Sequence, residues 1–320
     1  MAKEDKYLQA FARLKVDRNR NRWPEVTRNA SPYKPLMLLT VMDLIAEGRI
    51  TANRIEPSFE LAEAFNTYCF NILPAGMKGT PSMPFYHLKT DGFWHLVPDQ
   101  GHDRVPHAAR NSMPRIMETC SHAILDDFLF ALLQDPESRE NLRAVLIRTY
   151  FDESVQPALF EQAATNYEAE QYSQLLLAAE TPAAYGGPEI PVAEARPARD
   201  QGFRKAMVRI YEHRCAFCGI RMMTPDGHTV VDAAHIIDWA ITHDDSIQNG
   251  LCLCKLCHWS FDVHLIHLDD DYHIMVSHLA CEGRNLPGLI MSLDGRVMML
   301  PEEKKYWPAK ENIEKHRAEN

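Results

Sequence analysis

Two pairs of cysteines carry the most specific chemistry in the chain, Cys215-x2-Cys218 and Cys254-x2-Cys257. Paired CxxC knuckles of this kind are the sequence form of a four-thiolate Zn²⁺ site, because the ion favours four soft ligands at tetrahedral corners. Cys252 sits two residues before Cys254 and falls outside that register. Between and after the pairs, four polar residues follow in order. His235 ends the strand-like run VVDAAHII, Asn249 lies in the polar loop THDDSIQNG, and Cys257-His258-x3-Asp262 opens a helical stretch. At that spacing His258 and Asp262 share one helix face. A neutral imidazole near pH 7 can take a proton from water, but a single histidine on a strand is more often structural than catalytic.

A strand with His, a loop with Asn and a helix with His is the order of the HNH (ββα-metal) nucleases. The blocks DAAHIIDW, QNGLCLC and CHWSFD resemble that family's motifs, and RVMMLPEEKKYWP resembles the tail that follows the module in one subgroup. The resemblance covers residues 203–310 and implies a metal-dependent deoxyribonuclease. It implies His235 as the base that activates water, Asn249 as the residue that orients its loop, and His258 as a ligand of a catalytic Mg²⁺ or Mn²⁺. Asp262, a hard oxygen one turn on, is the second expected ligand. Ala234 stands where many members carry an Asp or His ligand, and Asp232 is the nearest carboxylate that could replace it. The remaining histidines of this half are read differently. His264, His267, His273 and His278 lie on a strand-like run and are expected to pack or face solvent, and Asp269–Asp271 is expected at a hairpin tip.

The first half carries polar residues suited to a nucleic-acid backbone. Arg18, Arg20 and Arg22 alternate beside Trp23, a combination suited to phosphates and stacking. Tyr33 and Lys34 stand at a helix start, where backbone N–H groups favour anions. Ser82-Met83-Pro84-Phe85 leads into Asp91-Gly92-Phe93-Trp94. At these residues the chain resembles the sulfur-binding domain of phosphorothioate-dependent type IV restriction endonucleases, over residues 5–115. The resemblance implies that Ser82, Met83 and Pro84 line an apolar pocket for backbone sulfur. It also implies that Tyr33, Lys34 and Arg110 contact the DNA backbone. Such a pocket has a physical basis: P–S⁻ is larger, more polarizable and less hydrated than P–O⁻, so it is desolvated at lower cost. Met83 stands where the family often has Tyr: methionine is apolar and tolerates sulfur, which would keep the pocket, and the alternative is a relative with another target, a modified base or ordinary DNA.

The elements that must hold these residues follow from pattern. Residues 31–48 read as a buried helix, with Ser31 as N-cap, Pro32 and Pro35 in the first turn and Gly48 at its end. Residues 83–97 read as an aromatic β-hairpin turning at Asp91-Gly92. Residues 117–180 read as acidic helices, and 181–200, with four Pro and two Gly, as a linker. The expected organisation is α+β. A mixed helix/hairpin DNA reader with its acidic extension occupies residues 1–180, and a zinc-stabilised nuclease occupies 201–320.

With 320 residues, 46% of them hydrophobic and 24% charged, the chain can bury a core in each half, which excludes global disorder. The net charge is −10, but it is unevenly placed. Residues 1–54 hold 11 Lys/Arg against 6 Asp/Glu, while 117–200 hold 5 Arg and no Lys against 15 Asp/Glu. The local field is what DNA meets. The polar start MAKEDKYLQA and the lack of an 18-residue apolar run point to a cytoplasmic protein with no membrane partner. Five of eight cysteines crowd into 215–257, which favours metal over disulfides. The expected activity is cleavage of double-stranded DNA near backbone sulfur, and cutting two strands with one site per chain implies a homodimer. An HNH enzyme directed to a modified base or to unmodified DNA, and a non-catalytic zinc-stabilised DNA-binding protein, are the alternatives.

Overall fold

The computed structural model describes residues 3–179 and 196–318. The chain forms two compact units, Met1–Tyr167 with the excursion Thr224–His228, and Glu168–Met223 with Thr229–Asn320. The division falls inside a long acidic helix, whereas composition places the break at 181–200. Most of that linker lies outside the described residues, and residues 196–200 open a helix instead.

The first unit is built around a helix that has no polar face. Its helices begin with α1 (Lys3–Ala12), α2 (Tyr33–Ala46), α3 (Phe59–Ile72) and α4 (Ser82–His87). Strand β1 (Trp94–Pro98), helix α5 (Met113–Thr119) and strand β2 (Cys120–Leu125) follow, then α6 (Asp127–Gln134), α7 (Pro136–Tyr150) and α8 (Gln156–Ala178). Every residue of α2 from Lys34 to Ile45 is buried, as a helix apolar all round requires. α3, α4, α6 and α7 pack on it. Gly48, at φ +72, takes the left-handed conformation just past the helix end. Asp43 is the buried exception. It pairs with Arg143 (2.8 Å) and accepts hydrogen bonds from the Tyr68 hydroxyl and the Asn166 amide, both at 2.7 Å. Burial raises its carboxyl pKa and Arg143 opposes the rise.

The expected hairpin at 83–97 does not form. Residues 82–87 are helical and 88–91 continue as a 3-10 turn. Gly92, at φ +88, ends that turn rather than reversing a hairpin. The Asp91 carboxylate is turned inward to the Lys34 ammonium (2.5 Å) and the Lys15 N–H (2.7 Å). The strand half, β1, pairs instead with β2, antiparallel, Trp94 opposite Leu125. The acidic stretch therefore contains a strand as well as the helices expected of it.

The second unit comprises α9 (Arg196–Ile210) and strand β5 (Val231–His235), and the two-residue strands β3 (Met223–Thr224) and β4 (His228–Thr229) mark the two ends of the excursion Thr224–His228. Then come α10 (Trp239–Thr242), β6 (Gly250–Cys254), α11 (Lys255–Asp262), the ribbon β7 (Ile266–Leu268) with β8 (Ile274–Val276), and α12 (Lys310–Ala318). β5 and β6 are antiparallel, with Val231 opposite Cys254 and His235 opposite Gly250. α11 packs on this pair, which makes a ββα unit, and α9 packs on both strands. A side chain at position 250 has no room, because its Cβ would lie 2.7 Å from the Met207 sulfur and 2.8 Å from the Phe203 ring. Glycine there lets α9 close over the end of β5. Among the described residues no helix is long and apolar enough to cross a membrane.

Candidate functional site

The four paired cysteines meet. Cys215 and Cys218 lie before and within a tight turn, where the Gly219 N–H donates to the Cys215 carbonyl (3.0 Å). Cys254 precedes α11 and Cys257 lies in its first turn. Their sulfurs all lie within 4.8 Å of one another, and Cys218 Sγ is 3.7 Å from Cys254 Sγ. A tetrahedron of Zn–S bonds near 2.3 Å has edges of roughly 3.8 Å, so this donor set fits Zn²⁺. All four are free thiols, and Cys252 stays outside the group, buried against its own sheet.

His235 ends β5 with its side chain 23% exposed. Its ring lies flat on Phe203, centroids 4.1 Å apart and planes 3° off parallel. Its Nε2 is 2.8 Å from Asp245 Oδ1. Asp245 is buried, and its carboxylate also accepts from the Tyr172 hydroxyl (2.8 Å) and the Arg199 guanidinium (2.9 Å). Arg199 in turn lies 3.6 Å over the Trp239 ring. With an anionic acceptor at Nε2, the neutral imidazole carries its proton there and presents Nδ1 as a lone pair.

Asn249 is fully buried and clamps the loop between His235 and itself. Its amide donates to the Ile237 carbonyl (3.0 Å) and the Asp244 carbonyl (2.9 Å), while its oxygen accepts from the Ile237 N–H (3.0 Å). On α11, His258 Nε2 lies 3.6 Å from Asp262 Oδ2. Burial raises the Asp262 pKa, His258 opposes the rise, and the like charge of Asp238 adds to it. His258 and Asp262 offer one nitrogen and one carboxylate oxygen, donor types that a hard or borderline divalent cation takes. Asp232 does not join this group. Side chains alternate along a strand, so Asp232 leaves the face of His235, and its carboxylate is turned to Arg204 at 2.9 Å.

Sequence reasoning missed Asp245, Arg199, Tyr172 and Phe203. Asp244 and Asp245 are adjacent in a polar loop, and only packing distinguishes the buried one. The other three come from α8 and α9, distant in sequence, with no motif to mark them.

In the first unit the expected contact residues divide. Arg18, Arg20 and Arg22 are exposed, with Arg22 4.8 Å over the Trp23 ring. Met83 is exposed beside buried Pro84. Three others are turned to internal use, contrary to expectation. Lys34 is buried, bonded to Asp91 and to the Thr90 hydroxyl (3.0 Å), because its helix start is covered rather than open. The Tyr33 hydroxyl donates to the Lys78 carbonyl (3.1 Å), and the Ser82 hydroxyl donates to the Arg110 carbonyl (2.8 Å). The Arg110 guanidinium meets His107 at 2.6 Å. Burial depresses the His87 pKa, and Lys34, Arg110, His107 and Lys89 depress it further. Lys89 and Arg110 bring positive charge to the α4 segment. Beside them an open groove of about 810 Å³ is lined by Tyr86, Lys89, His95, Arg104 and His107 among others. His87, Lys89 and His107 carried no signal in the sequence.

The two units thus have the makings of a DNA reader and a nuclease, and comparison with known proteins gives the same pairing. Residues 215–269 match the HNH endonuclease family. Residues 4–166, just over half of the chain, match the ScoMcrA-like DNA sulfur-binding domain, and the chain belongs to that family. No curated protein matches the chain. A solved structure titled "Modification dependent TagI restriction endonuclease" is similar at 24% identity with a TM-score of 0.29. The match covers 43% of this chain and 41% of that one, so the chain spans less than half the length of that relative.

Proposed function

We propose that this protein is a modification-dependent DNA endonuclease that recognises phosphorothioate-modified backbone through its first unit. Its HNH site then hydrolyses nearby phosphodiester bonds. The observation that carries the reading is the His235–Asp245 pair at the end of β5, on a strand packed against the helix that presents His258 and Asp262.

His235 acts as the general base. Asp245 holds the Nε2 proton, Phe203 fixes the ring plane, and Nδ1 takes the proton of the attacking water. Asp245 also stabilises the imidazolium that forms. Asn249 keeps the His235 loop in register and touches no reacting atom. His258 and Asp262 would hold a Mg²⁺ or Mn²⁺ ion, which supplies Lewis-acid stabilisation of the scissile phosphate and the leaving oxygen. The four cysteines would hold a structural Zn²⁺ that ties the turn at 215–218 to the start of α11.

In the reader, exposed Met83 over buried Pro84 offers an apolar, polarizable surface for sulfur. The charges of Lys89 and Arg110 hold the phosphates on either side.

The test is digestion of matched duplexes with plain, base-methylated or phosphorothioate backbone and bases, in Mg²⁺ and in Mn²⁺. Cleavage confined to sulfur-bearing DNA is expected, lost in chelator, with Met83→Lys erasing the preference. Equal cleavage of plain DNA by the wild type refutes the sulfur target, and preference for the methylated duplex reassigns the reader to a base mark. Binding without cleavage in either metal removes the nuclease.

A further inference from the structure

We propose that His264, His267 and His316 form a further metal site in the second unit, separate from the four cysteines and from the His258–Asp262 pair. One imidazole nitrogen from each lies within 4.8 Å of the other two. The ring centroids are 4.8 Å (His264–His316), 5.7 Å (His267–His316) and 5.9 Å (His264–His267) apart. Three imidazoles sharing one tetrahedral ion, with Zn–N bonds of about 2.0–2.1 Å, place their centroids roughly 5 Å apart. The observed triangle needs only small ring rotations to close on an ion.

Two further features point the same way. His264 Nδ1 is buried and has no hydrogen-bond partner, and buried polar atoms are seldom left so without a reason. His264 also sits at φ +56, a left-handed conformation uncommon for a residue with a side chain. Such conformations persist where the surroundings hold them. The floor of the group is Phe261, whose ring lies flat against His316 at 3.8 Å and 9°. The nearby Arg317 guanidinium is turned away, to the Leu268 carbonyl and the Asp270 carboxylate.

The donors are three nitrogens with no thiolate among them, a set for a borderline divalent transition ion such as Zn²⁺ rather than Mg²⁺. A water or an added donor completes the fourth position. The three histidines come from the turn after α11, from β7 and from α12, so a bound ion would pin the last helix to the end of the helix that carries Asp262. This site stands whether or not the nuclease assignment does.

The experiment counts Zn²⁺ per folded full-length chain by native mass spectrometry after expression in zinc-supplemented medium. Asn tolerates left-handed backbone, so His264→Asn is the first variant and His267→Gln the second, each checked for folding by circular dichroism. Each variant is expected to bind one Zn²⁺ fewer than the wild type, while His258→Ala keeps the wild-type number. In Co²⁺-loaded protein, the wild-type minus His264→Asn difference spectrum should show d–d bands without thiolate charge transfer. An equal zinc count in the wild type and whichever of the two variants folds overturns the proposal. A thiolate band in the difference spectrum, or loss of the same ion in His258→Ala, does so too.

Discussion

The end of β5 and the start of α4 use polar residues in opposite ways. Around His235 the buried partners, Asp245, Arg199 and Tyr172, converge on one imidazole and leave its other nitrogen open. Around α4 the polar residues that a reader was expected to offer, Lys34, Tyr33 and Ser82, are consumed inside the unit. What remains outward there is a sulfur-bearing side chain, Met83, in a positive field. Under the proposed function the contrast corresponds to two physical tasks. Moving a proton needs one nitrogen held in one tautomer and one direction. Discriminating sulfur from oxygen needs a surface with few hydrogen bonds to give, since donors would favour the ordinary phosphate.

The largest effect that separates the two regions is loss of the cysteine cluster. Structural Zn²⁺ is worth about 10–16 kcal/mol of folding free energy in small domains. Cys254→Ser should therefore melt the second unit and leave the thermal transition of the first, and its DNA binding, in place. A single shared transition that shifts as a whole would show that the units are not separable in this way.

Next is the base itself. His235→Ala should lower cleavage about 10²- to 10⁴-fold with DNA binding unchanged, and Asp245→Asn roughly 10- to 100-fold, the usual cost of an outer partner of a working histidine. If Asp245 acts through the imidazole, Asp245→Asn also moves the pH profile of cleavage and adds little on top of His235→Ala. Additive losses would make Asp245 a merely structural residue.

On the reader side, Lys34→Met leaves the Asp91 carboxylate buried without its cation. Breaking such a pair costs about 3–5 kcal/mol, so the first unit should lose thermal stability while the second keeps its own. Unchanged stability with lost DNA affinity would mean that Lys34 turns outward on DNA, and the contrast drawn above would fail at that residue.

The smallest effect concerns acid. In the second unit, burial pushes the Glu170 carboxyl up, but Arg209 (2.7 Å) and Lys205 (3.4 Å) outweigh it and hold it at about 2, below the ordinary 4.5. A depressed carboxyl contributes stability that is present above its unfolded pKa and lost as pH falls through the folded one. The melting temperature of the second unit should fall between pH 4.5 and 2, and Glu170→Gln should flatten that slope. An unchanged slope would remove Glu170 as its cause.

Much of the second unit was legible in advance because its chemistry is local in sequence. The CxxC pairs, the strand ending in His235 and the one-turn spacing of His258 and Asp262 are short-range patterns, and the fold keeps them. The buried helix over 33–46 was legible for the same reason, since its apolar run and bounding Pro and Gly are written in adjacent residues. The hairpin at 83–97 misled because Asp-Gly and aromatic alternation fit a strand turn and a 3-10 end equally. The choice rested on Asp91 finding Lys34, some fifty residues away, and on β1 finding β2. Asp232 misled because nearness along a strand is not nearness in space.

Residue type and spacing alone determined that the two CxxC pairs could hold a metal and that His258 and Asp262 share a helix face, because a ligand set or a helix face is fixed by backbone geometry over a few residues. The base role of His235 was implied only by the family resemblance. Tertiary packing alone decided which of two adjacent aspartates holds that histidine, which lysine disappears into the first unit, and which three histidines meet beside Phe261. Each of those outcomes depends on desolvation, and desolvation is a property of what the rest of the chain places around a group, not of the group's neighbours in sequence.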